Sequence, residues 1–194
     1  MYMTAKNTPR LNTTQLVYTA LGAVLIAICS WINIPTVIPF TMQTFAVFSI
    51  LLLLGGQNGT LSIIIYIIMG AIGIPVFHGF TGGVGILLGP TGGYIIGFVI
   101  SGLVYMLTEK AGSGKMSISI ISLITGLVLC YSFGTIWFIT VYTRQTGPMG
   151  LGTALTICVF PYIIPDLIKL ALAVILTTRI KKYNLLFSYP SDPD

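Results

Sequence analysis

The sequence predicts an all-α integral membrane protein with six transmembrane helices and both termini in the cytoplasm. Three observations carry that prediction. Apolar residues make up 55% of the chain and charged residues 7%, against about 25% charged in a soluble domain. No Asp, Glu, Lys or Arg stands between Leu11 and Thr108, so this stretch could not build a water-facing surface. Lys6, Arg10, Lys110, Lys115, Arg179, Lys181 and Lys182 fall on one side of a six-span chain, and Arg144 on the other. The positive-inside rule makes the richer side cytoplasmic. Five or seven spans would split the basic termini across the bilayer.

The spans follow from apolar runs, which need about 20 residues to cross a bilayer as a helix. The first runs from Gln15 to Ile32 and stops at Ile34-Pro35 and Ile38-Pro39, because proline removes a donor and clashes with the preceding turn. The second, Met42 to Leu54, and the third, Thr60 to Ile72, are short and separated by Gly55-Gly56-Gln57-Asn58-Gly59. The fourth runs from Gly92 to Thr108, the fifth from Ser117 to Val141 and the sixth from Thr153 to Thr178. A cytoplasmic tail at 1–14, a membrane domain at 15–180 and a second tail at 181–194 result, in a multi-pass protein of the cell membrane.

The linker from Gly73 to Gly93 holds eight glycines, two prolines and no formal charge. It is too apolar for a free aqueous loop. Irregular backbone at membrane depth is buried in protein or lines a cavity, so this segment is expected to fold back as a lid or cavity wall.

Composition also excludes several functions. The net charge of +5 is spread over segment ends and forms no basic patch with interleaved aromatics, so nucleic acid is not the partner; the lipid bilayer is. Cys29, Cys130 and Cys158 lie in apolar runs without metal spacing and read as small buried hydrophobes. No metal or cofactor site is expected. Glu109-Lys110-Ala111-Gly112-Ser113-Gly114-Lys115-Met116 has Glu and Met where a phosphate loop needs Gly and Ser or Thr. The chain therefore has no ATPase of its own. No nucleophile–base pair marks a hydrolase.

The strongest site signal is Asp166 with Lys169 in the last span. Three residues apart, they share a helix face. Each charge costs roughly 2.5–3.5 kcal/mol at a helix centre, which their pairing partly offsets. Ionisable residues inside spans usually line a substrate or ion pathway, although a salt bridge that only orients the helix is the plainer alternative. Pro161 and Pro165 precede the pair and are expected to kink the helix there. Gly89-Pro90-Thr91-Gly92-Gly93-Tyr94 opens span four, where Gly permits close backbone approach and Tyr94 offers a ring with a polar tip. Gln43 and Thr44, just inside span two, can bond a ligand or another helix. His78 is the lone histidine, cannot make a metal site alone and reads as a lid residue. Ala23 and Ala27 form a small-xxx-small pair that faces either another subunit or another helix of the same chain.

Taken together, Pro39-Phe40-Thr41-Met42-Gln43-Thr44, Tyr66 through Phe77, Gly82-Gly83 through Tyr94, and Pro161-Tyr162 with Pro165-Asp166-Leu167-Ile168-Lys169 resemble the BioY family. These are the biotin-specific substrate-binding subunits, or S components, of energy-coupling factor (ECF) transporters. The likeness runs from about Thr14 to Ile180 and departs at His78-Gly79, where many relatives carry Ala-Asn or Ala-Gly. It implies a six-helix S-component fold with a vitamin pocket near the outer face and high-affinity capture of biotin from outside, without enzymatic activity. It implies as partners a transmembrane coupling subunit and two cytoplasmic ATPases. It also implies that Asp166 and Lys169 are ligand residues and that Ala23 and Ala27 dock on the coupling subunit. Tyr94, Phe77, Gln43, Gly83, Thr91 and His78 complete the expected binding set. Biotin's chemistry agrees: Asp166 accepts from ureido N–H groups, Lys169 donates to the ureido oxygen or fixes Asp166, and Phe77 and Tyr94 enclose the apolar ring. Arg144, in an outer loop, either attracts the carboxylate or is a mobile surface residue. The alternative is an S component or solitary carrier for another vitamin.

Overall fold

A computed structural model of the protein describes residues 13–111 and 115–183. Lys6, Arg10, Gly112-Ser113-Gly114, the expected N-terminal tail through residue 12 and the C-terminal tail from residue 184 lie outside the described residues.

Helix α1 (Thr13–Trp31) leads into a two-residue hairpin, β1 (Asn33–Ile34) against β2 (Phe40–Thr41), and then α2 (Gln43–Ala71). The linker carries a 3-10 turn at His78–Phe80 and the short helix α3 (Val84–Leu88). The chain continues with α4 (Gly92–Ala111), α5 (Met116–Thr146), α6 (Leu151–Cys158) and α7 (Phe160–Lys182).

Helix α2 is a hairpin and not a rod. Gly55 has φ 78° and ψ 173°, a conformation open to glycine and strained for other residues. A Cβ on Gly59 would lie 3.0 Å from the Cα of Leu51, and the Gln43 amide reaches the Tyr66 hydroxyl at 3.1 Å. Along a straight helix residues 43 and 66 would stand about 34 Å apart. Two antiparallel arms, residues 43–54 and 56–71, therefore turn at Gly55. Among the described residues five helical stretches are long and apolar enough to cross a membrane, and with one of them doubled back they give the six expected helical segments. The expected five-residue break is compressed to one residue because the Gly56 N–H is capped by the Glu109 carboxylate at 2.5 Å.

The first arm is the centre of the molecule. Ala46, Val47, Phe48, Ile50, Leu51 and Leu52 are all buried, as suits a helix that is apolar all round. Helices α1, α4 and α7 pack around α2, and α5 packs on α4. Ala23 and Ala27 belong to this core: the Ser62 hydroxyl bonds the Thr19 carbonyl at 2.9 Å and Gly22 abuts Ser62. At Thr19 and Gly22 the small face of α1 packs on α2, Ala23 and Ala27 are buried in the core, and α1 turns Leu21, Val24 and Ile28 outward. Exposed Ile, Leu and Val on α4, α5 and α7 supply the lipid-facing surface.

The last span departs from the expected single helix. It breaks at Val159 (φ −124°, ψ −59°), upstream of both prolines. Pro161 then occupies the first turn of α7, where a missing N–H costs nothing. Arg144 lies in the last turn of α5 and not in a loop, since α5 extends five residues past the expected Val141.

Candidate functional site

One cavity opens where the first arm of α2 begins. Gln43 and Thr44 form its floor; Ile95 and Phe98 of α4 and Leu127 and Cys130 of α5 line its apolar walls. Ile38 and Pro39 approach from the β1–β2 connection, and His78 and Thr91 from the lid. Asp166 and Lys169 of α7 supply its charges.

The pair is buried, each residue 4% exposed. Lys169 Nζ donates to Asp166 Oδ1 at 2.7 Å and to the Thr41 carbonyl at 2.7 Å. Its ammonium also stands 4.1 Å from the centre of the Phe40 ring, a cation–π contact. Among the described residues this leaves one of its three N–H donors for a ligand. Tyr131 Oη donates to Asp166 Oδ2 at 2.5 Å, so each carboxylate oxygen already accepts one bond and keeps one lone pair.

Neighbouring polar groups are held as firmly. The Tyr94 hydroxyl pairs with Thr135 at 3.0 Å, turning the ring toward the cavity wall. Tyr162 Oη donates to the Ile38 carbonyl and lies 2.9 Å from the Thr36 hydroxyl, pinning the β1–β2 connection onto α7. The lid is closed at both ends by the chain's two tryptophans: Trp31 Nε1 donates to the Pro75 carbonyl and Trp137 Nε1 to the Gly89 carbonyl, each at 3.0 Å. Trp31 also stacks on Phe80. Burial lowers the pKa of His78 from its ordinary 6.5, which keeps the ring neutral near pH 7.

The structure brings Gln43, His78, Thr91, Tyr94, Asp166 and Lys169 around this cavity. Phe77 and Gly83 stand outside its lining. Phe77 is fully buried behind the lid, edge-on to Tyr66, and Gly83 (φ 98°) donates its N–H to the Gly70 carbonyl at 2.7 Å. Sequence reasoning missed Tyr131, Tyr162 and Thr41 as site residues. A buried carboxylate needs a donor besides its lysine, and a tyrosine in a span is the natural source.

The described residues thus form a helical membrane bundle with a charged pair buried beside a cavity. Residues 3–185 match the model of the BioY family, and the chain belongs to that family. A biotin transporter BioY of Thermotoga maritima is 36% identical over 173 residues, 88% of this chain and 98% of that protein. A probable biotin transporter BioY of Pyrococcus horikoshii is 41% identical over 144 residues, 74% of this chain and 81% of that protein. The crystal structure of the S-component for biotin from an ECF-type ABC transporter superposes with a TM-score of 0.77 at 26% identity, over 94% of this chain and all of that one.

Proposed function

We propose that this chain captures biotin for uptake, as the S component of an ECF transporter. The observation that carries the reading is the Asp166–Lys169 pair, buried and hydrogen-bonded, with one acceptor lone pair on each carboxylate oxygen and one donor left free. A cyclic urea presents the complementary set, two N–H donors beside one carbonyl. Ile95, Phe98 and Leu127 suit a thioether ring, with Tyr94 beside them. The relatives named as biotin transporters support the same ligand.

The lid takes part in the cycle. The cavity's free space is about 70 Å³, below the roughly 300 Å³ at which ligand pockets begin. Biotin enters as the lid lifts and is enclosed as it returns. His78 and Thr91 then meet the ligand from the lid, while Phe77 and Gly83 hold the lid to the second arm of α2. Capture of this kind needs no bond making, and the energy for release comes from a coupling subunit and two ATPases. The basic end of the bundle, where Glu109, Lys115 and Lys181 gather near Gly55 and Asn58, faces the cytoplasm and those partners. The lid and Arg144 face outward.

Calorimetry on the purified chain with biotin tests the assignment. Wild type is expected to bind, and Asp166→Asn and Lys169→Ala to lose most affinity. No heat for wild type, with heat for another vitamin in a competition panel, would replace the ligand; full binding by both variants would remove the site. Cysteine at position 144 in a cysteine-free background should react with an impermeant maleimide from outside intact cells, and cysteine at 115 should not; the reverse pattern would invert the topology.

A further inference from the structure

Tyr131 lies in the middle of α5, outside every motif that marks the family resemblance. Its hydroxyl crosses from α5 to α7 to reach Asp166 Oδ2 at 2.5 Å. Helix α5 packs chiefly on α4, and α7 on α2, so the two helices joined by this bond flank a seam. Behind the seam lies a groove of about 670 Å³ on the membrane side, lined by residues such as Val128, Ile136, Leu155 and Leu167. Tyr131 and Leu127 line both that groove and the polar cavity. The ring of Tyr131 is therefore part of a partition between ligand space and bilayer, and its hydroxyl is a tie across it.

We infer that Tyr131 is the positioning residue for Asp166, aiming the carboxylate at a ligand N–H and holding the partition shut. With Oδ1 on Lys169 and Oδ2 on Tyr131, the carboxylate plane is fixed by two bonds from different helices. Without the hydroxyl the carboxylate is free to turn both oxygens toward the ammonium, and its remaining lone pairs point away from the ligand. The inference rests on the biotin reading of the site.

Tyr131→Phe separates the two roles, since it keeps the ring in the partition and removes only the tie. The test is calorimetry of the full-length wild type and variant with three ligands. They are biotin and the two cyclic carbamate analogues in which one or the other ureido N–H is replaced by oxygen. Tyr131→Phe should weaken biotin roughly tenfold, the scale of one ligand N–H bond that a misaimed Asp166 no longer receives. The loss should be clearly smaller for the analogue lacking the N–H that Asp166 receives. Equal losses for biotin and both analogues would mean a purely structural role and overturn the inference. Unchanged biotin affinity in the variant would overturn it too. A wild type that fails to bind biotin would show up before any variant is compared, and would remove the ligand reading together with the inference built on it.

Discussion

The ring of Phe77 occupies the space that a side chain on Gly70 would need. A Cβ at Gly70 would stand 2.0 Å from Phe77 Cζ, and Phe77 is fully buried there. The lid is thus anchored by an aromatic residue pressed against bare backbone of the second arm. Gly70→Ala should expel that ring, with an overpacking cost of about 1–3 kcal/mol. Hydrogen exchange in residues 73–91 should quicken, and bound ligand should leave faster. Exchange unchanged from wild type would show that Phe77 does not hold the lid.

The charged pair makes a prediction about stability that differs from the one about binding. Removing one partner of a buried pair strands the other and costs roughly 3–5 kcal/mol, whereas removing both is far less costly. Lys169→Met should therefore lower the unfolding midpoint more than the double variant Asp166→Asn/Lys169→Met. Affinity should stay lost in both. A double variant no more stable than Lys169→Met would contradict the pairing seen at 2.7 Å.

His78 gives the lid a pH dependence whose sign follows from its burial. The folded form holds the ring neutral with a lowered pKa. Its contribution is complete above the ordinary histidine value of 6.5 and fades as pH falls through the lowered one. Protonation also adds a second cation to the cavity that contains Lys169. Thermal midpoints compared between about pH 7 and pH 5 should fall further for wild type than for His78→Gln. Parallel falls would exonerate the histidine.

The tryptophans offer a direct optical readout of lid movement. Trp31 and Trp137 each hold a carbonyl at opposite ends of the lid. Ligand addition should change intrinsic emission, and the change should halve or vanish with either residue replaced by Phe. Trp31→Phe keeps the stack on Phe80 and loses one bond worth about 1 kcal/mol, so dissociation should quicken about fivefold. A dissociation rate equal to wild type would assign the Trp31 bond no part in closure.

Hydrophobic runs were enough to locate the long helices, though not α3 or the break between α6 and α7, and the glycine-rich composition of 73–93 was enough to mark a segment that folds back. These features are local: they depend on spacing and on which groups lipid tolerates. What escaped depends on the fold. Nothing near Tyr131 in sequence marks it, because its importance comes from a residue 35 positions away. Phe77 and Tyr94 look alike as aromatic neighbours of glycines, yet one packs behind the lid and the other lines the cavity. Ala23 and Ala27 carry a close-packing signal that names no partner; both are buried in the chain's own core. The Gly55 turn was hidden in a run of small and polar residues, and its tightness is set by Glu109, 53 positions beyond the Gly56 that it caps.

The first arm of α2 comprises residues 43–54 and rises about 18 Å, roughly 12 Å less than the hydrocarbon thickness. A lipid-facing helix so short would force the bilayer to pinch. Here the arm is buried inside the bundle, so lipid does not meet the deficit. The missing length becomes an internal hollow above Gln43 and Thr44, roofed by the β1–β2 connection and the lid. The cavity is thus no hole carved into a finished bundle: it is the open end of a central column that stops early. Extending that column by one helical turn would fill the hollow with side chains and leave a sound membrane protein with nowhere to put its passenger.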